Sequence, residues 1–145
     1  MYQYSNIEKS DLAVYGHTMA VHKGSLYIFG GVKMESPTND LLQIIPNSSS
    51  SASPLSPAPH RRRDHAMAFM NRFLVVQGGV SSRNDIKSTL FYFDTESGKW
   101  HVPLQYQMPF LSHHAFIVAP LKNRKKQCTF QEAVDSCAYI FGGKN

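Results

Sequence analysis

The chain has 145 residues, 42% of them hydrophobic and 17% charged, with a formal net charge of +5. That length suits one domain or part of one, and the apolar share supports a core rather than a coiled coil or a disordered tail. Two cysteines exclude a disulfide-dense scaffold and a four-thiolate zinc site, and no apolar run reaches the roughly 20 residues that span a bilayer.

The N-terminal MYQYSNIEKSDLAVYG lacks a basic start followed by an apolar stretch. No cleavable secretory signal is therefore expected, and the location read from this is cytoplasmic or nuclear. The next segment, GHTMAVHKGSLYIFGG from Gly16 to Gly31, holds two short runs of β-formers joined at His22-Lys23-Gly24-Ser25. Short runs of Val, Ile, Phe and Tyr bounded by Gly and Asn are strand signals. Asn39-Asp40 then makes a turn before a third strand, LLQII. Pro46 to Pro59, PNSSSSASPLSPAP, is Ser/Pro-rich and too poor in apolar surface to offset its own ordering, so a disordered loop is expected at 46–59.

A second unit repeats the first at a period of 48. DHAMAFMNRFLVVQGG runs from Asp64 to Gly79, with His65 matching His17 and Gly78 matching Gly30. Asn84-Asp85 leads into IKSTLFYF, Asp94 to Gly98 forms a hairpin turn, and Trp100 opens a fourth strand. A third unit starts at HHAFIVAP, with His114 49 positions after His65, and resumes at AYIFGG, Ala138 to Gly143, after an insertion over 121–136. No segment sustains a 3.6-residue apolar period, so the chain is all-β.

A period near 50, four-stranded units, and double glycines at Gly30-Gly31, Gly78-Gly79 and Gly142-Gly143 resemble the kelch repeat, as do Phe93 and Trp100 as the aromatic pair of the second unit. Phe93 stands where that family usually has Tyr. The Trp-Asp strand end of the other repeat with a comparable period is absent. The resemblance implies a partial β-propeller of three four-stranded antiparallel blades, the first and third incomplete, with Leu26–Phe29, Phe73–Val76 and Tyr139–Phe141 as corresponding inner strands. The units are placed at about 12–45, 60–108 and 109–145. Three incomplete blades cannot close a ring, so an open arc of a larger propeller is expected, with self-association through its open faces.

For function, the basic excess lies wholly in two segments, Arg61-Arg62-Arg63 and Lys122, Arg124, Lys125 and Lys126. A groove for nucleic acid would spread its charge and interleave aromatics, so these seven residues are read as solvated loop positions and candidate contacts to a protein partner. His17, His65 and His114 occupy equivalent places in successive blades and diverge around the axis, which suits packing better than convergence on a metal. No metal or other cofactor is expected. Cys128 and Cys137 flank the third unit's insertion and are read as free thiols. Ser36-Pro37, Ser53-Pro54 and Ser56-Pro57 could accept proline-directed phosphorylation but read as solubilising loop residues. The resemblance implies a non-enzymatic adaptor or scaffold that binds a protein through loops 32–39, 80–84 and 121–136. The alternatives are a piece of a galactose-oxidase-like copper enzyme and an extracellular kelch segment of a multidomain protein.

Overall fold

The computed structural model describes residues 14–46, 52–104, 108–120 and 136–145. Within them the chain is built from antiparallel strands, and no helix is long and apolar enough to cross a membrane. The first sheet takes β1 (Thr18–His22), β2 (Ser25–Phe29), β5 (Leu41–Ile44) and β6 (Ser53–Pro54) in that order. A small hairpin of β3 (Val32–Lys33) and β4 (Ser36–Pro37) follows the first glycine pair. The second sheet repeats the meander with β7 (Ala66–Met70), β8 (Phe73–Gln77), β9 (Leu90–Asp94) and β10 (Lys99–His101). The third pairs β11 (Ser112–Pro120) with β12 (Ser136–Lys144).

The register carries the 48-residue repeat into space. Thr18 pairs with Phe29 and His22 with Ser25 in the first unit; Ala66 pairs with Gln77 and Met70 with Phe73 in the second. The first strands β1, β7 and β11 abut one another in that order, so they are innermost. The strands β2, β8 and β12 correspond to one another as expected but lie second in their sheets. The architecture is an arc of a propeller, all-β and antiparallel.

Strand β8 shows why neighbouring sheets hold together. Alternate residues of a strand face opposite sides. Leu74 and Val76 join Tyr27, Phe29, Leu41, Met67, Phe91 and Phe93 in the core between the first and second sheets. Val75 turns the other way and joins Phe116, Ala138, Leu90 and Met108 between the second and third. All three β8 side chains are fully buried. A strand buried on both faces reads as a continuous apolar run rather than an alternation, which is the pattern of FLVV. Each such side chain contributes on the order of 1.5–3 kcal/mol.

The Ser/Pro-rich segment departs from expectation. Ser53 and Pro54 pair with Gln43 and Leu42, so β6 supplies the first sheet with its fourth strand. Leu55 N donates to Leu41 O, Ala58 N donates to Asn39 O, and Ala58 is buried. Two effects offset the poor composition. Proline is tolerated on an edge strand, where its missing donor costs the ladder nothing. The burial comes from the core shared with the next unit, because Leu55 and Ala58 pack into the cluster that holds Phe29, Leu41 and Trp100. Residues 47–51 of the expected loop lie outside the described residues.

Candidate functional site

The glycine pairs come first because they set how one unit meets the next. Each pair has positive φ, from 66° at Gly30 to 100° at Gly143. The second glycine of each pair abuts its own unit's histidine: a Cβ would fall 2.9 Å from His17 Cβ at Gly31, 2.7 Å from His65 Cβ at Gly79 and 2.8 Å from His114 Cβ at Gly143. The first glycine abuts the following unit's histidine, with Cε1 of His65 2.8 Å from a Cβ at Gly30 and Cε1 of His114 2.8 Å from one at Gly78. Gly31 N donates to Arg62 O, and Gly79 N to Leu111 O. His65 and His114 are thus wedges between units, while His17 meets only the glycine of its own unit. Among the described residues no group of three or more His, Cys, Asp or Glu side chains is arranged to hold a metal.

His65 is fully buried and hydrogen-bonded through Nε2 to Thr18 Oγ1 at 2.6 Å. Burial, then the charges of Arg62, His114 and His17, pushes it down to about 3, so it is neutral in the fold. Phe93 and Trp100 pair across β9 and β10 with ring centroids 5.2 Å apart. Trp100 also meets Phe29 of the first unit at 5.5 Å and donates its Nε1–H to Ser56 O at 2.7 Å. It therefore clamps the Ser/Pro-rich segment into the junction.

The arginine run does not behave as one solvated patch. Arg61 is exposed. Arg63 pairs with Asp64 at 2.5 Å and donates to Asn84 Oδ1, while its backbone exchanges two hydrogen bonds with Val80. Arg62 is only 4% exposed, which corrects its reading as a loop charge in water. Its Nη1 donates to Arg61 O at 2.8 Å and its Nη2 to Thr89 Oγ1 at 3.3 Å; Nε has no partner among the described residues. The guanidinium lies 5.8 Å over the Phe91 ring. Burial lowers it to about 10, so it stays cationic at neutral pH. Its backbone is stitched to the first unit on both sides, with Arg62 N donating to Thr38 O and Arg62 O accepting from Gly31 N.

Arg62 forms one wall of a cleft of about 410 Å³ between residues 59–62 and the loop that joins β8 to β9. Arg61, Arg83 and Lys87 add positive charge, and Ser81, Ser82 and Thr89 add hydroxyls. Lys87 is paired with Asp85 at 3.2 Å; among the described residues no carboxylate forms an ion pair with Arg61, Arg62 or Arg83. His60, also in the wall, is pushed below its ordinary value by burial and then by the charges of Arg62 and Lys87. Ser81, Ser82 and Arg83 lie in the expected contact loop 80–84, whereas Lys87, Thr89 and His60 were not singled out by sequence reasoning. A signal was there in the register: position 62 corresponds to Val14 and Leu111, so an arginine stands where the repeat otherwise has an aliphatic residue.

Lys122, Arg124, Lys125, Lys126 and Cys128 lie outside the described residues; Cys137 is placed by its backbone, opposite Ala119. Ser36 and Ser53 are exposed on short strands, whereas the Ser56 hydroxyl donates to Gly98 O.

A family model described as the kelch motif matches residues 61–103. The chain is 29% identical over 141 residues to Multiple epidermal growth factor-like domains protein 8 of Mus musculus, covering 90% of this chain and 5% of that protein. It is 27% identical over 112 residues to Kelch-like protein 15 of Danio rerio, covering 73% of this chain and 18% of that protein. The chain therefore spans only a small part of these relatives' length. Among solved structures, that of YjhT matches with a TM-score of 0.64 at 16% identity, over 77% of this chain and 33% of the YjhT chain, a likeness of fold alone. The chain thus carries a kelch motif over its second unit and is similar to a kelch-like relative over 73% of its length.

Proposed function

We propose that the chain is a non-enzymatic protein–protein interaction module of the adaptor or scaffold kind, binding a protein through the loops that follow its glycine pairs. One observation carries this reading. Residues 61–63 run between the loop after Gly31 and the loop after Gly79, and backbone hydrogen bonds fix all three segments together at the first junction: Arg62 N to Thr38 O, Gly31 N to Arg62 O, and the reciprocal pair of Arg63 and Val80. Backbone-to-backbone fastening leaves the side chains of these loops free to vary, which is how a rigid sheet scaffold serves recognition. Kelch repeats mediate protein–protein interaction in general, and the match over residues 61–103 covers the segment and loop concerned.

The test is a pull-down from lysate with the wild-type chain and with a variant altered in loops 32–39 and 80–84 and carrying Lys122–Lys126 reversed to Glu. Loss of the same partner bands is expected. Unchanged recovery overturns the reading. Stoichiometric copper in the purified protein would instead favour the oxidase alternative.

A further inference from the structure

The kelch scaffold does not need a charge at position 62. Val14 and Leu111 hold the corresponding places in the first and third units, and Leu111 O accepts from Gly79 N just as Arg62 O accepts from Gly31 N. The backbone role is therefore met by an aliphatic residue in the third unit. Burying a guanidinium there costs desolvation that no carboxylate among the described residues offsets. The residual contacts are two hydrogen bonds to neutral oxygens and an aromatic ring face. A buried, pre-positioned cation with spare donors, opening on a cleft whose other charges are also mainly positive, is built for an anion that arrives from outside.

We infer that the cleft between residues 59–62 and 81–89 seats an oxyanion carried by a peptide segment of the protein partner, with Arg62 as its anchor. Arg61 and Arg83 steer the segment from the rim, and the hydroxyls of Ser81, Ser82 and Thr89 serve oxygens that the guanidinium leaves over. The oxyanion is a glutamate or aspartate carboxylate or a side-chain phosphate; the guanidinium fork suits both. This inference rests on the interaction-module reading and names the chemistry of its ligand.

The experiment is fluorescence anisotropy of the full 145-residue chain with three fluorescein-labelled peptides: Gly-Glu-Glu-Glu-Gly, its all-Gln counterpart, and Gly-Ala-phosphoserine-Ala-Gly. Arg62→Leu restores the residue type of the corresponding positions and should keep the fold, which a thermal melt verifies. Because Arg61 and Arg83 are exposed, the double variant R61Q/R83Q tests the cleft without touching the core. Lys99→Gln, on the exposed outer strand β10, removes the same charge elsewhere. Binding of at least one anionic peptide is expected, weakened about tenfold or more by R62L and by R61Q/R83Q, and unmoved by K99Q. Tighter binding of one anionic peptide identifies carboxylate or phosphate as the source. No binding of either, equal binding of the Gln peptide, or an equal loss in K99Q overturns the inference. Should the pull-down above still respond to the loops while the peptides fail, the interaction reading stands and this one falls.

Discussion

The filled junctions between units and the open faces of the first and third units are built from the same positions and differ only in what fills them. Gly78 and Gly142 have nearly the same φ, 67° and 68°. A Cβ on Gly78 would fall less than 3 Å from both Leu111 O and His114 Cε1, whereas a Cβ on Gly142 would meet no described atom within 4 Å. The same holds for side chains. Met67 is buried in the core against the first unit, with Phe69 packed beside it, while their counterparts Met19 and Val21 are 56% and 68% exposed on the outward face of β1. At the other end Ile117 and Phe141 are exposed. The glycine motif thus answers two demands, a backbone conformation and room for the next unit's histidine, and only the filled junctions show the second.

The sharpest way to break that comparison is to substitute both glycines. Gly78→Ala combines left-handed strain, about 1–2 kcal/mol, with overpacking against a backbone carbonyl, about 1–3 kcal/mol. A loss of about 3 kcal/mol in urea denaturation is expected. Gly142→Ala should cost only the strain, about 1–2 kcal/mol. Equal losses would mean that conformation alone explains the motif.

Trp100 comes next. It touches Phe29, Phe91 and Phe93 and holds Ser56 O, so it binds three parts of one junction together. Trp100→Ala should destabilise by about 3 kcal/mol, and proteolysis should then cut first within residues 52–59. A loss below 1 kcal/mol with that segment still protected would show that β6 is held by its ladder bonds alone.

How much of this was legible in the sequence follows from what a linear pattern can record. The strands, the 48-residue register and the glycine pairs were legible because each repeats, and Trp100 was legible by its place after Phe93. Strand β6 was not. Composition counts the apolar surface a segment owns, and the segment over 53–58 is ordered by surface that belongs to Leu41, Phe29 and Trp100. Arg62 was misread for a similar reason. Three consecutive arginines look like one charge cluster, yet in extended backbone successive side chains part company, and one enters the cleft wall, one reaches Asp64 and one stays in water. The cleft itself draws on residues more than 20 positions apart, which no local motif displays.

Acid separates the filled junction from the rest of the arc. His65 is neutral in the fold, with Arg62, His17 and His114 facing it, and its folded value of about 3 lies below the ordinary 6.5. The unfolded chain therefore takes up a proton below pH 6.5 that the folded chain refuses. Stability is full above that pH and falls as acid is added, by about 2 kcal/mol at pH 5 from this residue alone. His22, His60 and His114 are lowered as well and act in the same direction. Urea midpoints measured from pH 7.5 to 5 should fall steadily, and His65→Gln should flatten the slope. A slope unchanged by that substitution would place the acid sensitivity elsewhere.

The smallest expected effect distinguishes the two filled junctions from each other. Thr18 gives His65 Nε2 a partner, but the corresponding residue for His114 is Ala66, and both ring nitrogens of His114 lack a partner among the described residues. The first junction therefore contains a buried hydrogen bond that the second does without. Thr18→Ala should make the first junction chemically like the second and cost about 1 kcal/mol, because it strands a buried ring nitrogen rather than removing packing. Combined with Gly30→Ala, whose Cβ would displace the same imidazole, the loss should be less than the sum of the single losses, since both act on one contact. Full additivity in the double-mutant cycle would show that the hydroxyl and the glycine position His65 independently.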